Sequence, residues 1–124
     1  METEQPLHVE IRYLTDQAMA LDMRGDLTRQ SEEAVLQLRP WADGLDGRRK
    51  YLILNLTQVP YINSAGIAVL IRLARAGIKG GFTTFAYGVT PHYEKLFRMV
   101  GLTEYMLIYP EEYSILERVA AMEA

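Results

Sequence analysis

The stretch Tyr51 to Ile78, YLILNLTQVPYINSAGIAVLIRLARAGI, constrains the fold more than any other part of the chain. Tyr51 to Leu56 is almost continuously apolar, the pattern of a strand covered on both faces. A short loop containing Pro60 follows. From Asn63-Ser64-Ala65-Gly66 onward the period becomes helical. Ile67, Leu70, Ile71, Ala74 and Ile78 fall on one face, which is expected to be buried. Arg72, Arg75 and Lys79 mark the other side, toward the C-terminal end, where cations suit the helix dipole. A buried strand therefore feeds a helix whose first turn carries one hydroxyl, Ser64, and little other side-chain bulk.

The flanking segments alternate in the same way. Residues 1–7 read as a flexible N-terminal tail, and the domain as residues 8–121. His8 to Leu14 alternates with Val9, Ile11 and Tyr13 on one side, a half-buried strand. Thr15-Asp16-Gln17 turns the chain into a second strand, Ala18 to Met23, paired back as a hairpin. Thr28 or Ser31 caps the next helix, with Glu32 and Glu33 in its first turn. Val35, Leu38, Ala42 and Leu45 supply its stripe, and Pro40 ends or kinks it. Gly80-Gly81 stops the central helix. Phe82 to Tyr87 reads as a strand. Thr90-Pro91 opens a helix with Tyr93, Leu96, Phe97 and Val100 inward and Gly101 as its stop. Tyr105 to Tyr109 is a short strand. A last helix runs from Pro110-Glu111-Glu112 to about Ala121, with Tyr113, Leu116 and Val119 available for packing. The order β-β-α-β-α-β-α-β-α predicts an α/β fold: a single domain with a mixed, mostly parallel sheet and helices packed on it.

Composition narrows the function. The 124 residues are 49% hydrophobic, enough for one real core. The net charge is −3 with no basic block, which argues against direct nucleic-acid binding. There is no cysteine, so thiolate metal sites and thiol catalysis are excluded. The first residues lack a signal-peptide layout, and no apolar run approaches membrane-spanning length. The expectation is a soluble cytoplasmic domain without membrane insertion.

Catalytic signatures are missing. A nucleophilic Ser64 needs a base, and only His8 and His92 exist, neither in a triad-like context. The loop is not a G-x-S-x-G elbow, and no P-loop, dinucleotide fingerprint or HExxH occurs. The reading is therefore a non-enzyme without cofactors. Asn63-Ser64-Ala65-Gly66 is at least a capping sequence. It also sits where open α/β sheets display their sites, at the carboxyl end of a strand. A phosphoryl group on such a hydroxyl would meet unpaired N–H groups and the positive helix end.

Three segments carry a family resemblance. Gly25-Asp26-Leu27 resembles the "GEL" turn of the STAS domain. Leu54-Asn55-Leu56 with Ile62-Asn63-Ser64-Ala65-Gly66-Ile67 resembles its "LDL … MDSSGL" segment. Thr90-Pro91 through Leu96-Phe97-Arg98-Met99-Val100-Gly101-Leu102 resembles its "SP..RLF...GL" segment. The likeness spans about His8 to Val119 and is most similar to bacterial anti-sigma factor antagonists. It implies a partner-switching protein that binds an anti-sigma factor with serine kinase activity and frees a sigma factor. Phosphorylation of Ser64 would end the binding, and a serine phosphatase would restore it. The resemblance places the partner-binding surface on Tyr61, Ile62, Asn63, Ser64, Ala65, Gly66 and Ile67, with Asp26 and Thr28. Three positions depart from the family pattern: Asn63 stands for the usual aspartate, Ala65 for serine or threonine, and Thr28 for a frequent aspartate. The alternative that these departures leave open is a non-phosphorylated STAS scaffold subunit, in a stress-sensing assembly or an ABC lipid transporter.

Overall fold

The computed structural model describes residues 3–124. Strands β1 (His8–Tyr13), β2 (Ala18–Arg24), β3 (Tyr51–Gln58), β4 (Thr83–Tyr87) and β5 (Met106–Ile108) form one sheet in the order β1-β2-β3-β4-β5. The opening hairpin pairs antiparallel and the other three pairings are parallel. The helices are α1 (Glu32–Leu36), α2 (Ser64–Gly80), α3 (Pro91–Met99) and α4 (Glu112–Glu123). The mixed, mostly parallel sheet expected from the sequence is the sheet observed.

Strand periodicity divides the core into two layers. Met19, Leu21 and Met23 of β2 and Leu52, Leu54 and Leu56 of β3 face one side, where Val35, Ile67, Leu70, Leu73 and Phe97 cover them from α1, α2 and α3. Ala18, Ala20, Tyr51, Ile53, Phe85 and Tyr87 face the other side, against Ile115 and Val119 of α4. The central strand is apolar and buried from Tyr51 to Leu54 because it is covered on both faces there, and it turns polar from Asn55 toward its exposed end.

The helix ends follow the expected chemistry. Thr90 Oγ1 accepts from Tyr93 N at 3.3 Å, with Pro91 at the first helical position. Gly81, at φ +74°, closes α2 in a left-handed turn that few other residues adopt cheaply.

Some stripes lie elsewhere than predicted. The helix after β2 ends at Leu36, so Leu38 and Ala42 are exposed. Trp41 fills the space instead: its indole N–H donates to Val35 O at 2.8 Å, and its ring tilts against Phe82 at 6.2 Å. In α2, Ile78 is 71% exposed and Gly77 is buried in its place. The Phe82 carbonyl and ring press on that face, and a Cβ at Gly77 would lie 2.5 Å from Phe82 O. Val100 is exposed, and the fully buried Leu102 occupies the core after α3. In α4, Tyr113 is exposed and Ile115 is the buried anchor.

Of the expected tail, residues 1 and 2 lie outside the described residues. Residues 3–7 form no helix or strand, yet Leu7 is buried and the backbone of Gln5 meets the turn after β2. Gln5 N donates to Asp26 Oδ2, and Asp26 N donates to Gln5 O, both at 2.9 Å.

Candidate functional site at the start of the second helix

The loop from β3 into α2 is held by backbone contacts on two sides. Leu27 N donates to Tyr61 O at 2.9 Å and Asn63 N donates to Leu27 O at 3.2 Å, a short parallel bridge between Leu27 and Ile62. From the other side, Ile62 N donates to the Tyr93 hydroxyl at 3.0 Å. Tyr93 stacks on the buried Phe97, so α3 buttresses the loop.

Asn63 is the N-cap in extended conformation, and its Oδ1 accepts from Gly66 N at 2.9 Å. That bond satisfies one of the helix's orphan donors. Ser64 is the first helical residue and is exposed. The hydroxyl thus stands at the positive end of a 17-residue helix on a loop with little freedom. The small residues around it have separate causes. A Cβ at Gly66 would lie 2.0 Å from Leu27 O, so the backbone that approaches this turn is the chain's own. Ala65 is half-buried and lines a shallow groove with Arg29, Glu32, Ala68, Val69 and Arg72.

The nine residues expected to form the partner surface divide by exposure. Tyr61, at 50%, and Ser64 are exposed, and Asn63 and Ala65 are partly so. Ile62, Gly66 and Ile67 are buried and hold the corner from beneath. Thr28 and Asp26 are buried as well. Thr28 caps the turn into α1: its Oγ1 accepts from Gln30 N, and its N–H donates to Ser31 Oγ. Glu4 accepts from the Thr28 hydroxyl at 2.7 Å, and Gln5 occupies the Asp26 carboxylate. In this arrangement the N-terminal segment, rather than solvent, covers Asp26 and Thr28. It borders a cleft lined by Thr3, Glu4, Gln5, Asp26, Pro60 and Tyr61.

A second polar cluster, not singled out from the sequence, lies on the α4 side of the sheet. Asp22, Asn55 and Tyr87 stand side by side in one register row across β2, β3 and β4. Arg12 donates Nε and Nη2 to the two Asp22 oxygens at 2.8 and 2.9 Å, and Nη1 and Nη2 to Glu112 at 3.0 and 2.9 Å. Asn55 donates to Asp22 at 2.9 Å, and Tyr87 O–H to Glu112 at 3.0 Å. The Arg12 hydrogen bonds hold both carboxyls below their usual range. Burial, with the bond to Glu112, pushes the Tyr87 phenol up to about 12. The even-numbered residues of the hairpin were the available signal: once the hairpin register is fixed, they all face α4.

This cluster pins α4 to the hairpin, with a definite pH consequence. Carboxylates depressed in the folded state contribute stability above their unfolded pKa and lose it as pH falls through the folded value. Arg12→Ala is expected to cost about 1–2 kcal/mol near neutral pH, the lower part of the range for charged hydrogen bonds because the group is partly exposed. The gap from wild type should narrow as pH falls below about 4. Urea unfolding at a series of pH values measures it; a gap independent of pH would mean that Arg12 acts by packing alone.

Among the described residues, no group of three or more His, Asp and Glu side chains could hold a metal ion, and no helix is long and apolar enough to cross a membrane.

The fold matches known proteins. The family model for the STAS domain matches residues 10–115. The structure superposes on the unphosphorylated anti-sigma factor antagonist SpoIIAA with a TM-score of 0.69 and 15% identity, over 90% of this chain and 97% of that one. A variant of RsbS from Moorella thermoacetica gives 0.71 and 18%, over 93% and 97%. A sulfate transporter family protein from Wolinella succinogenes gives 0.72 and 14%, over 91% and 93%. A sequence comparison with curated proteins finds no match. With the family model matching residues 10–115, most of the chain, the chain belongs to the STAS domain family.

Proposed function

We propose that this protein is an anti-sigma factor antagonist, a binding protein rather than an enzyme, that works in the cytoplasm. It docks the corner formed by Tyr61, Asn63, Ser64 and Ala65 on an anti-sigma factor with serine kinase activity, and so frees a sigma factor. The kinase phosphorylates Ser64 and ends the complex; a serine phosphatase restores it. The observation that carries this reading is an exposed hydroxyl at the first position of α2, on a loop fixed by Leu27 and Tyr93. Phosphate there adds about −1.5 to −2 charges. In the free protein the helix end tolerates it, whereas in a packed interface it must be desolvated. Similarity to SpoIIAA and RsbS supports the same reading.

The test begins with the anti-sigma factor that the protein captures. Incubation of the pair with ATP, followed by mass spectrometric mapping, should place phosphate on Ser64 and none on a Ser64→Ala chain. Phosphate found elsewhere, or none at all, removes the switch. Failure to bind any anti-sigma factor removes the antagonist reading.

A second reading, a non-switched scaffold, is favoured by Asn63 and Ala65. The Asn63 side-chain oxygen is committed to the helix cap, and neither residue brings a carboxylate to the corner. The partners would then be other STAS proteins or an ABC ATPase of a lipid transporter. Co-purification with those, unchanged by ATP, would decide for it.

A further inference from the structure

We propose that the free edge of β1 pairs with β1 of a second copy, antiparallel about a two-fold axis through Ile11. This surface lies apart from the Ser64 corner and does not depend on the function proposed for it.

The direction of the backbone groups fixes what the edge offers. Tyr51 N donates to Gln17 O, and Gly25 N to Gln58 O, so the odd residues of β2 address β3 and the even ones address β1. Leu14 N donates to Ala18 O, in keeping with this phase. With Arg12 opposite Ala20 and Glu10 opposite Asp22, the even residues of β1 use their N–H and C=O groups toward β2. The backbone groups of Val9, Ile11 and Tyr13 therefore point outward from the terminal strand of the sheet. An antiparallel copy centred on Ile11 makes Ile11 opposite Ile11, and Val9 opposite Tyr13 on either side, hydrogen-bonded pairs.

Side chains select that register. The same pairing lays one row of Val9, Ile11 and Tyr13 beside the other, and Ile11 and Tyr13 are 36% and 52% exposed in the single chain. On the opposite face, Glu10 of one copy meets Arg12 of the other, twice. Shifting the axis by one residue places Glu10 against Glu10 or Arg12 against Arg12, which is unfavourable. The Arg12 guanidinium spends four of its five hydrogens on Asp22 and Glu112 and retains one on Nη1. Edge strands are ordinarily blunted by brevity, proline or free charge. β5 follows that rule, with three residues and Pro110 shortly after. β1 is longer and open: it has six residues and no proline, its arginine is already held in place, and the charge it leaves exposed, Glu10, is the one that meets Arg12 of the second copy.

Light scattering on the eluting full-length protein over a concentration series tests this. The wild type should move from the mass of one chain to that of two as concentration rises. Ile11→Lys, which sets two ammonium groups across the axis, should stay at one chain with an unchanged circular dichroism spectrum. Glu10→Arg, at an exposed position, should weaken the pair about tenfold while the circular dichroism spectrum stays that of the wild type. A one-chain mass for the wild type at every soluble concentration overturns the proposal, as does a two-chain mass that either variant leaves unaltered.

Discussion

Replacing Gly66 by alanine is expected to destabilise the domain by about 2–4 kcal/mol, at the upper end for a single added methyl group. Helix propensity alone predicts the opposite sign, because alanine gains roughly 1 kcal/mol over glycine inside a helix. Sterics wins here. The new Cβ would lie 2.0 Å from Leu27 O and 2.5 Å from Leu27 C. Those atoms cannot retreat: Leu27 is fully buried, its N–H is bonded to Tyr61 O, and its carbonyl accepts from Asn63 N. Any relief pushes α2 away from the turn after β2 and opens the bridge between Leu27 and Ile62. Gly81→Ala is the control. Nothing stands within 4 Å of its Cβ position, and only its φ of +74° resists substitution. That change should cost about 1 kcal/mol. Urea or thermal unfolding of both variants gives the comparison. If Gly66→Ala is no worse than Gly81→Ala, the helix does not rest on the Leu27 backbone in the way described.

The reason for Gly66 was only half visible in the sequence. The lack of side-chain bulk at the start of α2 was plain, but the backbone that requires it at Gly66 belongs to the same chain, and no local pattern reveals a contact between residues 27 and 66. The strands themselves were legible because each strand's period matches its burial, as in Leu52, Leu54 and Leu56 against one helical layer and Ile53 against the other. The N-cap Thr90 was legible, and that of α2 was legible as a capping sequence in which Asn63 proves to be the cap, because capping depends on residues three apart. The misplaced stripe positions share one cause. Leu38, Ile78 and Val100 continue a helical period past the point where the helix ends or where a partner sits. Tertiary neighbours such as Trp41, Phe82 and Leu102 then take the core positions. The burial of Asp26 and Thr28 depends on residues 4 and 5 folding back on the turn, a contact between segments more than twenty residues apart.

On the function proposed above, a Ser64→Asp chain is expected to bind its anti-sigma factor about 30- to 1000-fold more weakly than wild type, the equivalent of about 2–4 kcal/mol. The fold should not suffer. A carboxylate at the first helical position faces the positive end of α2, which stabilises it by about 0.3–1 kcal/mol in the free protein. The loop geometry does not depend on the serine either, since the cap is Asn63 and the buttresses are Leu27 and Tyr93. The penalty arises only in the complex, where the charge must leave water against a surface fitted to a small neutral side chain. Ser64→Ala separates charge from loss of the hydroxyl: it should bind within a few-fold of wild type and resist ATP-dependent release. The measurement is calorimetric titration of the three chains with the partner, beside their melting temperatures. Equal affinity for Ser64→Asp would show that the corner is not in the interface. A fall in affinity matched by a fall in melting temperature would show that the carboxylate perturbs the helix rather than the contact.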